Sequence, residues 1–182
     1  MSVITRRGDD GQTDFMFGRR CSKNSLRVHA YGEVDELSSA MGLALALGLS
    51  PAVAELVTKA QEKLVPLMGE LATLPEDAAE YHRRGYTTLC PADVEWAEAQ
   101  GHALEQQGGI RFTGWARAGQ GASPGAAALD LSRAVCRRAE RAVLALHEQQ
   151  PIPNNAILLY LNRLSDLLWL ASRHETNTAT TT

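Results

Sequence analysis

Apolar residues recur at every third or fourth position through most of the chain, which is the spacing of one buried face of an α-helix. The run over 31–49 is typical, because Val34, Leu37, Met41 and Leu45 all fall on one side of such a helix. No segment shows the strict alternation that is typical of a half-buried β-strand. The pattern therefore predicts a helical protein.

The limits of the helices follow from prolines, glycines and capping residues. Ser50 followed by proline and the Pro91 segment suit helix starts, and Gly108 with the next glycine suits a stop. Pro66 predicts a kink, because proline removes a helical hydrogen-bond donor. The predicted helices cover about 31–49, 51–73, 91–107, 125–149 and 154–175. Their short links predict an all-α fold, a five-helix up-and-down bundle with an extended N-terminal arm.

The remaining segments are polar or rich in glycine and proline, and the chain is predicted to form a single domain over 1–182. Residues 1–28 are predicted to form the arm, which lacks apolar anchors and is expected to become ordered when a ligand binds. The bundle is predicted to span 31–175. Residues 74–90 and 114–125 are predicted loops, and the Thr-rich 176–182 a disordered tail.

Composition narrows the function classes. A formal net charge of −3 and a pI near 6.0 argue against nucleic acid as the main partner. The three cysteines are far apart in the sequence, so they predict neither a disulfide framework nor a metal site, and they fit a cytoplasmic location. No apolar run reaches membrane-spanning length, and the first seven residues contain no apolar signal-peptide core.

One helix concentrates ionisable side chains within its otherwise Ala- and Leu-rich sequence. Asp130, Arg133, Arg137 and Glu140 fall along one side, whereas Leu131 belongs to the opposite, apolar face with Val135, Ala139, Ala142 and Leu146. A solvated charged face would explain the pattern. The bias toward arginine also favours recognition of phosphate or carboxylate oxygens, which match its fixed set of donors.

Two further segments carry polar residues that suit binding. Asn162 and Asp166 lie one turn apart on the last helix, away from its apolar stripe, where a polar contact between helices is the structural alternative. In the arm, Gly8 and Gly11 stand three residues apart among Thr, Arg and Lys side chains. Their backbone amides could cradle an anion, although no Walker A pattern is present and a flexible basic arm is the alternative.

Together these segments resemble the trimeric ATP:corrinoid adenosyltransferases of the PduO type. The matching pieces are residues 5–11 (TRRGDDG), Lys23, 30–42 (AYGEVDELSSAMG), 133–141 (RAVCRRAER) and 160–166 (YLNRLSD). They occur in the order of the family, at nearly its spacing, and are spread over most of the chain.

The resemblance implies a function. Such a protein transfers the 5′-deoxyadenosyl group of ATP to cob(I)alamin, forming adenosylcobalamin and triphosphate, with Mg²⁺ entering with the phosphates. The cobalt is the nucleophile, so no catalytic Ser, Cys or His is needed from the protein. The resemblance also implies a homotrimer that works with a cobalamin reductase and with adenosylcobalamin-dependent enzymes.

The resemblance further implies roles for individual residues. Asp35 is implied to pair with Arg133 across a subunit boundary, although by itself it looks like a solvated helix acid. Asp35, Arg133 and Arg137 are the implied catalytic residues. The implied ATP-binding residues are Thr5, Arg6, Arg7, Gly8, Thr13, Lys23, Arg137, Arg138, Glu140, Arg141 and Asn162.

The chain departs from the family pattern before the arginine-rich helix. An ungapped count places Arg117 where the family has a Phe beneath the corrin ring, and Asp130 where it commonly has a His. We expect Trp115 or Phe112 to bind the corrin instead, with Trp115 the first choice and Arg117 pointing to solvent. This departure is the feature that favours an alternative function, a non-catalytic ATP- or corrinoid-binding carrier or sensor on the same bundle.

Overall fold

The computed structural model describes residues 4, 6–111, 114–115 and 117–179. Within them the chain forms a helical bundle and one small hairpin, which confirms the all-α prediction. The elements in chain order are β1 (Gln12–Asp14), β2 (Arg20–Ser22), α1 (Leu26–Ala46), α2 (Pro51–Glu62), α3 (Leu64–Leu71), α4 (Ala78–Arg83), α5 (Pro91–Gly108), α6 (Pro124–Gln149) and α7 (Ala156–Ala179).

Helix α1 begins five residues earlier than the apolar pattern predicted. Its cap is Ser25, whose hydroxyl accepts a hydrogen bond from the backbone N–H of Val28 at 3.3 Å. The helix predicted over 51–73 is present, and an interruption at Lys63 divides it into α2 and α3. Pro66 explains the break, because its nitrogen cannot donate to the carbonyl of Glu62 one turn earlier.

The segment over 74–90 is not the simple loop that was predicted. It contains a 3-10 turn at Pro75–Asp77 and the short helix α4, in which Tyr81 is buried. Glu80 lies one turn from Arg83 and Arg84 and pairs with both. Six residues of helix carry too little periodicity for the sequence to reveal them.

The last helix is longer than predicted and includes part of the expected disordered tail. Thr176 and Thr178 continue α7, and each hydroxyl donates to a carbonyl one turn earlier, that of Ser172 at 2.8 Å and that of His174 at 3.1 Å. The prediction of disorder is therefore wrong for 176–179. The final three residues lie outside the described part of the chain.

The long helices alternate in direction along the chain, as an up-and-down bundle requires. Arg27, at the start of α1, donates to the carbonyl of Leu71 at the end of α3 at 2.9 Å. Gly125, at the start of α6, lies against Gly48 just beyond the end of α1, so closely that a Cβ at 125 would collide with the Gly48 carbonyl. Helix α6 packs between α1 and α7, and α5 packs on α7.

The core is a continuous set of buried aliphatic side chains with a few satisfied polar groups. Tyr160 is completely buried, and its hydroxyl donates to the carbonyl of Ala60 at 2.9 Å. Ser172 bonds in the same way to the carbonyl of Ala126 at 3.0 Å, which joins α7 to α6. None of the described helices is both long enough and apolar enough to cross a membrane.

The N-terminal arm contains a hairpin that the sequence did not predict. β1 pairs antiparallel with β2, so that Gln12 lies opposite Ser22 and Asp14 opposite Arg20. Arg20 also forms an ion pair with Asp10 at 3.0 Å. Three-residue strands are too short to show alternation, and neither strand has a buried residue that would impose it.

Candidate active site

A cleft of about 860 Å³ lies between α5, α6 and α7, and it contains two of the cationic side chains that the sequence singled out, Arg133 and Arg137. This volume is typical of sites for small molecules. The apolar part of its wall includes Trp115, Trp169 and Leu170. The charged side chains that line it are Arg133, Arg137, Arg163, Arg173, Glu98, Glu105, Asp130 and Asp166.

Helical spacing decides which residues of α6 reach the cleft. Arg133 and Arg137 are four residues apart and both line it, together with Asp130. Leu131, which was predicted on the apolar face, is instead 55% exposed. Leu131 lies about 100° around the helix from Asp130, which is buried. The boundary between the buried and the exposed face of α6 therefore falls between these two residues.

Arg137 is a cation of the cleft that has no acidic partner among the described residues. It is exposed, and it forms no ion pair or side-chain hydrogen bond within the described residues. By contrast, the Nε of Arg133 donates to Asp130 Oδ1 at 2.8 Å, and Arg163 pairs with Glu98. An unpaired guanidinium in a concave site is suited to anionic oxygen atoms.

Arg138, the next residue along α6, faces a different helix. Its guanidinium pairs with the carboxylates of Glu33 and Glu36 on α1, and these two acids raise the arginine pKa. The following arginine of the motif, Arg141, is exposed on α6. The four ionisable residues of the RRAER segment therefore do not act as one cluster within the subunit.

Asn162 is held by hydrogen bonds at both ends of its amide. Its nitrogen donates to Glu140 Oε1 at 3.0 Å, and its oxygen accepts from Arg163 Nη1 at 2.7 Å. Arg163 in turn pairs with Glu98, so the chain of contacts connects α6, α7 and α5. The structure thus brings together Glu140 and Asn162, two of the predicted site residues, and fixes which way the amide points.

Asp166 lies beside these groups at the rim of the cleft. The surrounding helices partly desolvate its carboxyl even though the residue is exposed, and this raises its pKa, while the nearby Arg163 and Arg137 act in the opposite direction. Arg173 lies seven residues further along α7 and also lines the cleft. Its Nε is buried and has no hydrogen-bond partner among the described residues.

The N-terminal loop positions Lys23 close to Gly8. Lys23 Nζ donates to the Gly8 carbonyl at 2.7 Å, and the Lys23 backbone N–H donates to the Gly11 carbonyl at 2.9 Å. Arg7 forms an ion pair with Asp14 at 3.0 Å, and Arg6 adopts a left-handed backbone conformation with φ of 59°. Thr13 lies within β1, opposite Cys21. Thr5 lies outside the described residues.

The predicted pair between Asp35 and Arg133 does not form within one subunit. Asp35 is exposed on α1 and makes no ion pair in the described part of the chain, and Arg133 is engaged by Asp130. The two residues lie on separate helices, and only Arg133 lines the cleft.

The predicted corrin-binding residues are only partly described. Trp115 is 97% exposed at the edge of the cleft, Arg117 is also exposed, and Phe112 lies outside the described residues. Trp169 is half-buried in the cleft wall and was not among the predicted site residues. Its spacing was a usable signal, since it stands seven residues after Asn162 and four before Arg173, on the same face of α7.

Comparison with known proteins identifies the family. The sequence profile of the family described as cobalamin adenosyltransferase matches residues 3–175. The chain is 37% identical to the corrinoid adenosyltransferase of Bacillus subtilis (strain 168), over 95% of this chain and 86% of that protein. It is 38% identical to the cobalamin adenosyltransferase of Cupriavidus metallidurans, over 94% of this chain and 86% of that protein.

The fold is shared with solved structures of the same family. The chain superposes on a variant of the PduO-type ATP:corrinoid adenosyltransferase from Lactobacillus reuteri, complexed with cobalamin and ATP, with a TM-score of 0.86 and 29% identity. That match covers 99% of this chain and 96% of the other. The extent of both matches, and the motifs that carry them, show that the chain belongs to the PduO-type branch of the cobalamin adenosyltransferase family.

Proposed function

We propose that this protein transfers the 5′-deoxyadenosyl group of ATP to cob(I)alamin, forming adenosylcobalamin and triphosphate. The observation that carries the proposal is Arg137, which lines the cleft without an ion pair among the described residues and is able to hold an anionic leaving group. Membership of the family and the ligands named for the Lactobacillus reuteri structure agree with this chemistry.

In the proposed reaction a bond forms between cobalt and C5′ while the C5′–oxygen bond breaks, and triphosphate leaves with the electron pair. The protein contributes position and charge. Arg137 contacts the triphosphate and stabilises the charge that develops on the leaving oxygen. Holding both substrates in line removes most of the entropic barrier to their encounter.

The remaining nucleotide contacts come from two places. On the bundle, the fixed amide of Asn162, with Glu140 behind it, is proposed to orient the nucleotide, and Arg141 extends the cationic surface. On the arm, the proposed phosphate contacts are Thr5, Arg6, Arg7, Gly8, Thr13 and Lys23. Because Arg138 is occupied by Glu33 and Glu36, we omit it from the contacts within this subunit.

Mg²⁺ is expected to enter with ATP, since its preferred ligands are the oxygen atoms of phosphates and carboxylates. The carboxylate of Asp166, beside Arg137 in the cleft, is a hard oxygen ligand of the right kind. When bound, the ion would offset charge on the triphosphate. Asp166 and Arg137 would then hold the ion and the phosphates side by side.

The corrin is proposed to bind against the aromatic part of the cleft. Trp115 is expected to pack beneath the ring, with Phe112 as the second candidate and Trp169 forming the opposite wall. An exposed tryptophan has no competing contact to break, and covering it with the corrin would remove apolar surface from water.

A homotrimer with active sites between subunits is part of the proposal. The outer surface of α1 and α6 carries the exposed apolar side chains Leu43, Leu47 and Leu131, which suits a protein contact. Asp35 is also exposed on α1, without an ion pair in the described residues, and is available to Arg133 of a neighbouring subunit. Such a pair would make the active site depend on assembly of the trimer.

The proposed setting is the cytoplasm, where the free thiols of Cys21, Cys90 and Cys136 would remain reduced. A reductase that supplies the reduced corrinoid and enzymes that consume adenosylcobalamin are the expected partners.

One observation favours a second candidate, a non-catalytic ATP- or corrinoid-binding carrier or sensor. Trp115 is almost fully exposed. An ungapped count places Arg117 at the position that holds a Phe in the family. Without an apolar group beneath the ring, the protein would bind its ligands without promoting the reaction.

The test is the absorbance spectrum of adenosylcobalamin, followed with purified protein, ATP, Mg²⁺ and chemically reduced cobalamin. Growth of that spectrum, and its loss in Arg137→Ala, is the expected result. Tight binding of ATP and cobalamin without any product would favour the carrier or sensor.

A further inference from the structure

The tip of the N-terminal hairpin is fastened to the segment between α3 and α5. Arg19 donates two hydrogen bonds to Asp77, from Nε to Oδ2 at 2.9 Å and from Nη2 to Oδ1 at 2.7 Å. The Asp77 side chain is only 12% exposed. The hydrogen bond from Arg19 is the main cause of a lowered pKa for Asp77, so this carboxyl remains ionised and paired.

Aromatic and backbone contacts strengthen the same attachment. The ring centroid of Phe17 lies 6.4 Å from that of Tyr86, and the guanidinium carbon of Arg84 lies 4.9 Å from the Phe17 ring centroid. The Met16 N–H donates to the carbonyl of Ala72 at 2.9 Å. The premise that the arm lacks apolar anchors is therefore wrong at the tip of the hairpin.

Phe17 adopts a backbone conformation that non-glycine residues rarely accept, with φ of 63° and ψ of 22°. Such a conformation persists only where surrounding contacts impose it. Here Tyr86 and Arg84 contact the ring of Phe17, and the Arg19–Asp77 pair holds the backbone two residues after Phe17. The tip is therefore positioned by the bundle and not by its own local preference.

The opposite end of the hairpin carries the loop in which Lys23 contacts Gly8. This end continues directly into α1 through Ser25, the cap of the helix. A hairpin held only there would be free to pivot about that junction. The second attachment, at the tip, fixes its angle and with it the location of the Gly8 loop, and the Arg19–Asp77 pair is the charged contact of that attachment.

We propose that Asp77 is a positioning residue for the nucleotide-binding arm: by holding Arg19 it sets the place of Gly8 and Lys23 before ATP arrives. The inference rests on the proposed function, because it assigns that loop to the triphosphate. Asp77 itself contacts no phosphate and acts through the hairpin.

The test compares Asp77→Asn with Glu76→Gln, a neighbouring exposed acid that forms no ion pair within the described residues. Both variants lose one negative charge. Because the pair is partly open to solvent, we expect Asp77→Asn to raise the KM for ATP about fivefold while kcat at saturating ATP and the KM for cobalamin stay unchanged. Glu76→Gln should behave like the unmodified protein.

Two further measurements separate positioning from a general loss of structure. Hydrogen exchange over residues 8–23 without ATP should accelerate in Asp77→Asn but not in Glu76→Gln. The exchanged pair Arg19→Asp with Asp77→Arg should restore the KM for ATP. An unchanged KM for ATP in Asp77→Asn, or failure of the exchanged pair to restore it, would overturn the inference.

The outcome remains distinguishable from failure of the proposed function. If Arg137→Ala abolishes adenosyl transfer while Asp77→Asn is normal, the enzyme assignment stands and only the role of Asp77 falls. If the unmodified protein forms no adenosylcobalamin, the affinities of Asp77→Asn, Glu76→Gln and the exchanged pair for ATP measure the positioning role directly. Equal affinities in Asp77→Asn and Glu76→Gln would overturn it.

Discussion

Asn162 and Glu140 form a hydrogen bond of 3.0 Å between two helices, with the amide of Asn162 as donor and the carboxylate of Glu140 as acceptor. Arg163 holds the other end of the amide at 2.7 Å. An asparagine in the middle of a helix is a poor helix former, so this contact explains why it is tolerated there. It also leaves the amide in one orientation, next to Arg163, which lines the cleft.

We expect Asn162→Asp to weaken ATP binding by about 1–3 kcal/mol, because it places two carboxylates in contact and removes the donor. The pair would share a proton with a raised pKa, so part of the affinity should return as the pH is lowered. Calorimetric titration with Mg-ATP at several pH values measures this. Adding Glu140→Gln should restore binding at neutral pH by supplying a donor, and an additive loss in the double variant would contradict the pairing.

The neighbouring arginines of α6 should differ in what they support. Arg137→Ala is expected to weaken ATP binding and transfer together by about 2–4 kcal/mol, because it removes a charge-assisted contact in the cleft. Arg138→Ala should leave ATP affinity nearly unchanged but lower the thermal midpoint, since Glu33 and Glu36 lose their partner. Equal ATP affinities in the two variants would show that the cleft is not the phosphate site.

Much of the bundle was predictable from local signals. Pro51 and Pro91 stand at the starts of helices, and Gly109, with φ of 57°, ends α5 in a left-handed conformation that favours glycine. These residues act within one turn of chain, so the sequence alone reveals them. The start of α1 was missed because the first buried position after Ser25 is held by Arg27, a charged residue that does not continue the apolar pattern.

The parts that the sequence did not predict depend on contacts between distant segments. Arg138 has the same residue type as Arg137 and stands beside it, yet only packing against α1 gives it Glu33 and Glu36 as partners. Trp169 belongs to the cleft because α5 and α6 pack on either side of α7. Likewise, the hairpin tip is held by Asp77, which is 58 residues away from Arg19 in the chain.

In the proposed trimer, Asp35 of one subunit forms an ion pair with Arg133 of its neighbour, so a change at either residue removes the contribution of both. Asp35→Arg is expected to abolish transfer and reduce the assembly measured by light scattering, whereas Glu95→Arg, an exposed acid on α5, should do neither. Adding Arg133→Asp should restore part of both properties. The recovery is expected to be incomplete, because the new aspartate would lie near Asp130 and be repelled by it. A fully active monomer would rule out a site between subunits.

The corrin side provides the last prediction. Reaching Co(I) is difficult while a lower ligand stays on cobalt, and an apolar side chain beneath the ring favours the four-coordinate form by denying that ligand space and water. An unpaired Arg117 would be a poor substitute, since burying it carries a large desolvation penalty.

Trp115, 97% exposed beside the cleft, is free to take this position when the corrin binds. Trp115→Ala should therefore slow adenosylation that starts from cob(II)alamin much more than adenosylation of chemically prepared cob(I)alamin. Arg117→Ala provides the matched control and should leave both rates unchanged, because its side chain points to solvent in the proposed complex. If Trp115→Ala slowed the two reactions equally, the tryptophan would contribute to corrin binding alone, and the group that displaces the lower ligand would have to lie elsewhere.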